Sequence, residues 1–417
     1  MNSKPGIRAR VEKDGRLALP PELIARYGLT PDAEVWIDDD LDTFRVRRPI
    51  THLAKVYVEP TNSCNLNCVT CVRNVWTEPL GRMGRATFAR IIEGLRAFTP
   101  PPVVFFGGFG EPLAHRDIVS MITQAKALGA RVELITNGTL LDEVLARQLI
   151  AAQLDVLWVS LDGTTPESFA DVRLGAALPQ ILENVMRFRD LRGRSYYPVP
   201  ELGIAFVAMK RNIAQLPDLL VLSRWLGAAH VKVTNVLPYT ADLRDEILYW
   251  RILMDGDYPP SPGVPHVMLP KINVNDVTRR PLYHVLNSHR TITYADYNLQ
   301  SLHDRCPFVE GGTLAIAWDG GVSPCLPLMH DHVSYVDRYE RHSRRYTAGN
   351  VNDGDLIDLW QQPDYLAFRR RVREFEFAPC TSCGGCQLLE ANEEDCVGNT
   401  FPTCGGCLWA QGVIQCP

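Results

Sequence analysis

Between Cys71 and Cys306 the chain has no cysteine at all. Its twelve cysteines fall in two stretches, three at Cys64, Cys68 and Cys71 and nine from Cys306 onward. Long apolar runs are missing too. The start, MNSKPGIRAR, carries none, and no later stretch approaches transmembrane length. Neither a secretory signal nor a membrane span is expected. There is no basic excess: the net charge of −5 gives no push toward nucleic acid or an anionic membrane. Together these absences point to a cytoplasmic protein. In that compartment disulfides are disfavoured, so cysteines in such number serve metal binding or catalysis. With 46% hydrophobic and 22% charged residues the composition is that of ordinary globular domains.

Residues 7 to 48 read as a small unit. RARVEKDGRLALP alternates apolar and polar residues around a Lys-Asp-Gly turn, a hairpin signal. PPELIARYGL suits a short helix, and AEVWIDDDLDTFRVRRP supplies two more strands around an acidic turn. From residue 53 six apolar runs (LAKVYVEP, PVVFFGG, RVELITNG, DVLWVSLDG, LGIAFVAM, HVKVTNVLP) are mostly separated by amphipathic segments. That alternation predicts βαβ units and a parallel sheet. Six units without an obvious seventh and eighth predict an open, partial (β/α)6 barrel, with sites at the carboxyl ends of its strands. The expected architecture is α/β. Residues 1–50 form a β-rich domain, 51–240 the barrel, 241–304 an irregular Pro- and Gly-rich insertion or connector, and 305–417 a cysteine-rich domain.

CNLNCVTC, residues 64 to 71, follows the first predicted strand and so lies on the active-site edge. Three thiolates on one loop can hold three irons of a [4Fe–4S] cubane, leaving the fourth iron without a protein ligand. An open iron can take a small molecule bearing an amine and a carboxylate. A zinc site completed from a distance is the alternative. In this spacing and position the sequence resembles the radical S-adenosylmethionine (SAM) superfamily. The resemblance implies that the open iron chelates the amine and carboxylate of SAM. It further implies that reductive cleavage gives a 5′-deoxyadenosyl radical, which abstracts hydrogen from the substrate. GGFGEP, after the second strand, resembles the family's Gly-Gly-Glu motif, so Gly107, Gly108, Gly110 and Glu111 are expected at the SAM amine. Glycines let backbone approach a ligand and a carboxylate suits an ammonium. Asn137 in TNG, and Ser160 and Asp162 in SLDG, close the third and fourth strands and are expected near the ribose and carboxylate of SAM. Turn-capping is the alternative for all three.

In the cysteine-rich end, Cys380-x2-Cys383 and Cys404-x2-Cys407 fit a zinc-ribbon template. Cys306, Cys325, Cys386, Cys396 and Cys416 exceed what one zinc can use, and nine thiols suffice for two four-iron clusters with one spare. The layout resembles the SPASM extension of radical SAM maturases, which implies two auxiliary clusters and three [4Fe–4S] clusters in all. By that pattern Cys306, Cys325 and Cys407 belong to one cluster, completed by Cys386 or Cys396. Cys380, Cys383, Cys404 and Cys416 belong to the other. SPCLPLMHDH and NEEDCVGNTFPTCGGCLWAQGVIQCP resemble the maturases associated with tungsten-containing, tungstopterin oxidoreductases of the aldehyde:ferredoxin oxidoreductase type. His330, Asp331, His332 and Tyr335, and likewise His266, either line the substrate cavity or are polar loop residues.

KDGRLALPPELIARYGLTPDAEVWI resembles half of a swapped-hairpin domain of the AbrB/MazE kind. That family dimerises and often binds DNA. Here Arg8, Arg10, Lys13, Arg16, Arg26, Arg45, Arg47 and Arg48 are matched by at least as many acidic residues, including DDDLD. Homodimerisation or protein docking is therefore expected rather than DNA binding. The expected function is a radical SAM maturase acting on a tungsten oxidoreductase or its cofactor, supplied with electrons by a low-potential donor such as ferredoxin or flavodoxin. The alternatives are a radical SAM enzyme that modifies, for example crosslinks, a ribosomally made peptide, and an iron–sulfur DNA-binding regulator. The last has no use for a SAM pocket.

Overall fold

The six apolar runs form the strands Lys55–Val58, Val103–Phe106, Val132–Thr136, Val156–Ser160, Glu201–Ala208 and His230–Asn235. The computed structural model that shows this describes residues 9–40, 43–193, 199–249, 267–269, 272–273, 275–286, 292–294, 305–336, 339–381 and 386–416. Neighbouring strands pair in parallel, with Val56 opposite Val104, Leu134 opposite Leu157 and Ile204 opposite Val231. Helices Arg85–Leu95, Ile118–Ala127, Glu143–Ala151, Leu178–Leu191 and Leu216–Trp225 lie on the crossovers. In the first of these Phe88, Ile91, Ile92 and Leu95 are buried, the stripe expected of a helix with one face on a sheet. Each such side chain contributes about 1.5–3 kcal/mol by leaving water. Asp142 caps the third helix by accepting from the Leu145 amide at 2.7 Å.

The sheet runs past six strands. Val267–Leu269 adds in parallel to the sixth, and Ile292–Tyr294 adds to that. Both come from the stretch whose sequence reads as an irregular insertion, because runs of three residues are too short for a period to register. On the opposite edge Thr313–Ile316 lies parallel to the first strand, with Ala315 opposite Tyr57. Gly321–Ser323 and Gly349–Asn350 follow antiparallel. The cysteine-rich region is thus hydrogen-bonded into the barrel sheet. Its last residues return to the sixth strand. Asn235 Nδ2 donates to the Val413 carbonyl at 2.8 Å, and the Gln415 amide donates to the Thr234 hydroxyl at 2.9 Å.

At the other end of the chain Arg10–Val11 pairs with Leu17–Ala18, and Ile37–Asp40 with Thr43–Val46. Helix Pro21–Tyr27 lies between them and ends on Gly28 in the left-handed conformation, φ 63°. No residue of this helix is buried, and Val11, Leu17, Val35, Trp36 and Ile37 are 38–68% exposed. Arg47 Nη1 reaches Glu310 Oε1 at 3.1 Å, and Arg373 Nη1 donates to the Arg48 carbonyl at 3.0 Å. Among the described residues no helix is long and apolar enough to cross a membrane.

Candidate functional site

The loop after the first strand is held from both sides. Asn62 accepts from the Gly81 amide at 2.7 Å, and Thr61 Oγ1 donates to the Gly81 carbonyl at 2.6 Å. Farther along, the Asn67 and Val69 amides donate to the Leu174 and Val172 carbonyls at 3.3 and 2.9 Å. The loop presents Cys64, Cys68 and Cys71, all partly exposed. Donors converge on two of the sulfurs. The Leu66 amide lies 3.4 Å and Asn137 Nδ2 3.7 Å from Cys64 Sγ. Arg173 Nη1 lies 3.9 Å from Cys68 Sγ. Burial pushes the Cys68 and Cys71 thiols up.

Arg173 carries no motif, and sequence reasoning missed it. Its aim follows from the pairing of residues 172 and 174 with the cysteine loop. Its guanidinium is bonded to Asp162, whose side chain is fully buried, at 2.6 Å from Nη2 and 2.8 Å from Nε. Burial acts against the cation, but Asp162 and Cys68 outweigh it and hold the Arg173 pKa above its ordinary value. Asp162 also accepts from the Val207 amide at 2.9 Å. Its carboxylate therefore anchors Arg173 and a strand end.

The Gly-rich stretch packs directly on the cysteine loop. A Cβ at Gly110 would stand 2.1 Å from the Thr61 carbonyl oxygen and 2.7 Å from that of Ser63. Only glycine lets the Glu111 amide reach the Ser63 carbonyl, at 2.9 Å. Glu111, 2% exposed, accepts at Oε1 from Thr136 Oγ1 (2.7 Å) and the Leu113 amide (3.0 Å), and at Oε2 from the Asn137 amide (2.8 Å). It braces the Thr136–Asn137 turn. Three donors hold the buried carboxylate, which has about four acceptor positions in all. Asn137 caps its turn and also donates toward the cysteine loop. Its Oδ1 caps the turn by accepting from the Thr139 amide at 2.9 Å, while its Nδ2 points to Cys64 and Asn65. Ser160 ends the fourth strand, half-buried on the same edge.

Beside Gly108 and Phe109 lies a feature that no sequence spacing assembles. His330 is clamped between two carboxylates, with Nε2 2.8 Å from Glu59 Oε2 and Nδ1 2.6 Å from Glu78 Oε2. Glu59 also accepts from the Phe109 amide at 3.1 Å, and the Trp76 ring lies 4.7 Å from the imidazole. Burial disfavours the imidazolium, yet Glu59 and Glu78 outweigh it and raise the pKa above 6.5. Of its neighbours in sequence, His332 is buried and Asp331 is exposed, while the Tyr335 hydroxyl donates to Glu340 at 2.8 Å. His266 lies outside the described residues.

A second cysteine site is enclosed. Cys306, Cys325, Cys404 and Cys407 line one cavity together with Trp409 and Arg341. Burial pushes Cys306 up to about 12. Burial first, and the neighbouring thiols second, push Cys325 and Cys404 well above the thiol range. Thiols that disfavour one another's ionisation fit a bound metal group, whose positive charge stabilises thiolates. Among the described residues no three Cys, His, Asp or Glu side chains converge as a single ion requires. Here the cysteines border a cavity. Cys404 lines this cavity beside the three cysteines expected to share a cluster, because the short turn that pairs the Cys407 amide with the Cys404 carbonyl (3.0 Å) carries both into it. Cys386 and Cys396 are exposed. Cys380 Sγ approaches the same turn at Gly405, and Cys416 Sγ accepts from Trp409 Nε1 at 3.4 Å. Cys383 lies outside the described residues.

Residues 58–199 match the Radical SAM superfamily, and residues 306–387 match the SPASM iron–sulfur cluster-binding domain. The chain is 29% identical over 369 residues to the tungsten-containing aldehyde ferredoxin oxidoreductase cofactor-modifying protein of Pyrococcus furiosus, covering 87% of this chain and 96% of that protein. It is 30% identical over 188 residues to PqqA peptide cyclase of Gluconobacter oxydans, covering 45% of this chain and 50% of the cyclase. In fold it is similar to native anSMEcpe with bound AdoMet, with a TM-score of 0.53 at 16% identity over 86% of this chain and 96% of that one. It is also similar to SuiB of Streptococcus suis bound to precursor peptide SuiA, with a TM-score of 0.54 at 14% identity over 81% and 72%. The first domain implies a [4Fe–4S] cluster and SAM, and the second implies further iron–sulfur clusters. The chain is a radical SAM enzyme with a SPASM iron–sulfur domain.

Proposed function

We propose that this enzyme is a maturase that modifies a tungsten-containing oxidoreductase or its tungstopterin cofactor. The observation that carries the reading is the likeness to the Pyrococcus furiosus protein, which spans nearly all of that protein. Cys64, Cys68 and Cys71 would hold the SAM-binding cluster. When bound, that cluster supplies the electron that cleaves SAM to methionine and a 5′-deoxyadenosyl radical. The chain's own part is positioning. Asn137, the Leu66 amide and Arg173 donate toward the ligand sulfurs. Glu111 fixes the turn that aims Asn137, and Asp162 fixes Arg173. Contact with SAM itself falls to Gly107, Gly108, Gly110 and Glu111 at its amine, and to Asn137, Ser160 and Asp162 near its ribose and carboxylate.

Cys306, Cys325, Cys404 and Cys407 would hold one auxiliary cluster. Cys380, Cys383 and Cys416, with Cys386 or Cys396, would hold another. Three clusters correspond to about twelve irons per chain. The domain limits at about residues 50, 240 and 304 belong to this proposal, as do a cytoplasmic setting and a ferredoxin or flavodoxin donor. So does a homodimer formed through an AbrB-like N-terminal unit. Changing Cys64, Cys68 and Cys71 to Ala should abolish reductive SAM cleavage while about eight irons remain. Cleavage that survives the triple change would overturn the site. For the substrate, the reconstituted enzyme is incubated anaerobically with SAM and a tungsten oxidoreductase, and the cofactor mass is followed. A SAM-dependent change in a ribosomal peptide instead would favour the second reading, peptide modification, to which the PqqA cyclase likeness points.

A further inference from the structure

Arg341 is 5% exposed and lies on the strand Tyr339–Ser343, paired with Ser334 across a hairpin. Its Nη1 donates to the Leu389 carbonyl at 2.6 Å. Among the described residues no carboxylate pairs with it. A buried cation without an anion is costly. The sulfurs that lie near enough to offset it, once ionised as ligands, are those of Cys407, Cys380 and Cys404. His332, on the adjoining strand, lies within reach of its charge. The turn Cys404-Gly405-Gly406-Cys407 is shaped around this contact. A Cβ on Gly406 would stand 2.7 Å from Arg341 Nη1, and one on Gly405 would meet the Ala378 carbonyl at 2.1 Å and Cys380 Sγ at 3.3 Å. Neither glycine can be larger if the guanidinium is to lie against the turn and Cys380 behind it.

We propose that Arg341 is the positive charge built into the auxiliary site, standing between the cluster of Cys306, Cys325, Cys404 and Cys407 and the cluster that Cys380 serves, and stabilising their reduced states. The inference rests on the reading that these cysteines hold iron–sulfur clusters. One-electron reduction adds one negative charge to a cluster, and a fixed neighbouring cation in a desolvated site favours that charge. Arg341 is thus a positioning residue that sets how readily the auxiliary clusters take an electron.

The test uses the full chain, reconstituted anaerobically, in a background where Cys64, Cys68 and Cys71 are Ala, so that only C-terminal clusters give a signal. Dithionite titration followed by electron paramagnetic resonance yields the midpoint potentials. Arg341→Met is expected to lower the reduced-to-oxidised ratio at the parent's midpoint about tenfold, which is about 59 mV for one electron. Arg341→Lys keeps the charge and is expected to keep most of the potential. Loss of C-terminal iron in Arg341→Met alone, with Arg341→Lys loaded, also supports a role for the charge. Loaded Arg341→Met with an unmoved midpoint overturns the proposal. So do equal shifts, or equal loss of iron, in both variants, since those report shape and not charge. Absence of C-terminal iron in the parent overturns the cluster reading, and this inference with it.

Discussion

Replacing His330 by Leu removes the cation bonded to Glu59, a residue whose side chain is 0% exposed. The donors that remain are the amides of Phe109 at 3.1 Å and Trp318 at 3.4 Å, the second long for a bond to a charged group. Breaking a buried pair from one side costs about 3–5 kcal/mol. The two amides that stay bonded to Glu59 put this site at the low end of that range, about 3 kcal/mol. At 1.4 kcal/mol per decade, local opening becomes about a hundredfold more frequent. The assay is hydrogen exchange of the Phe109 and Trp318 amides in the iron-loaded full chain, because these two report directly on Glu59. His330→Leu combined with Glu59→Gln removes the stranded charge and should restore much of the protection. An effect of less than about threefold in the single variant would refute the argument that the clamp holds this edge together.

The pH dependence has a fixed sign. The folded-state pKa of His330 lies above its unfolded value near 6.5. Its contribution is therefore complete below pH 6.5 and is lost as pH rises through the raised folded value. After correction for intrinsic exchange, protection at Phe109 and Trp318 should fall toward alkaline pH in the parent. It should stay nearly flat in His330→Leu. Asp319 and Arg345, bonded to one another at 2.8 Å, stand nearby and titrate outside this window.

Gly110→Ala should destabilise the folded protein by about 1–3 kcal/mol, read by thermal unfolding, because the added methyl meets backbone oxygens that cannot swing away. Arg173→Met strands the fully buried Asp162 and should cost about 3–5 kcal/mol, with lowered iron occupancy at the N-terminal cysteines. Asp162→Asn added to it should recover part of the stability, whereas no recovery would deny the pairing. Deleting residues 1–50 should leave a SAM-cleaving protein that is monomeric by light scattering, because the exposed Val11, Trp36 and Ile37 go with it. A truncated chain that still runs as a dimer would place the contact elsewhere.

Much of the fold was legible because the signals were local. Strands covered on both faces, such as Val103–Phe106, read as continuous apolar runs, and Arg85–Leu95 shows the helical stripe within eleven residues. Val267–Leu269 and Ile292–Tyr294 escaped because three-residue strands are defined by their partner's backbone, not by their own composition. The His330 clamp was illegible for a different reason. Its carboxylates lie 271 and 252 residues away along the chain, and no spacing rule connects them. The parallel pairing of Thr313–Ile316 with the first strand brings these distant segments side by side.

The motif residues themselves show the same division in sharper form. Cys64, Cys68 and Cys71 declare their chemistry because three ligands on one loop need no tertiary information. Glu111, Asn137 and Asp162 were legible as residues of the edge, but the protein groups they bond were not. The backbone sets those bonds. Residues 172 and 174 pair with the cysteine loop, so Arg173 has to face Cys68, and a cation buried there requires an anion. Asp162 is that anion. Likewise Glu111 sits where the Asn137 amide, the Thr136 hydroxyl and the Leu113 amide all need an acceptor. Both carboxylates act one step behind the sulfurs, by fixing the groups that donate to them. Their loss should therefore appear first in cluster occupancy and reduction potential, ahead of any change in affinity for SAM.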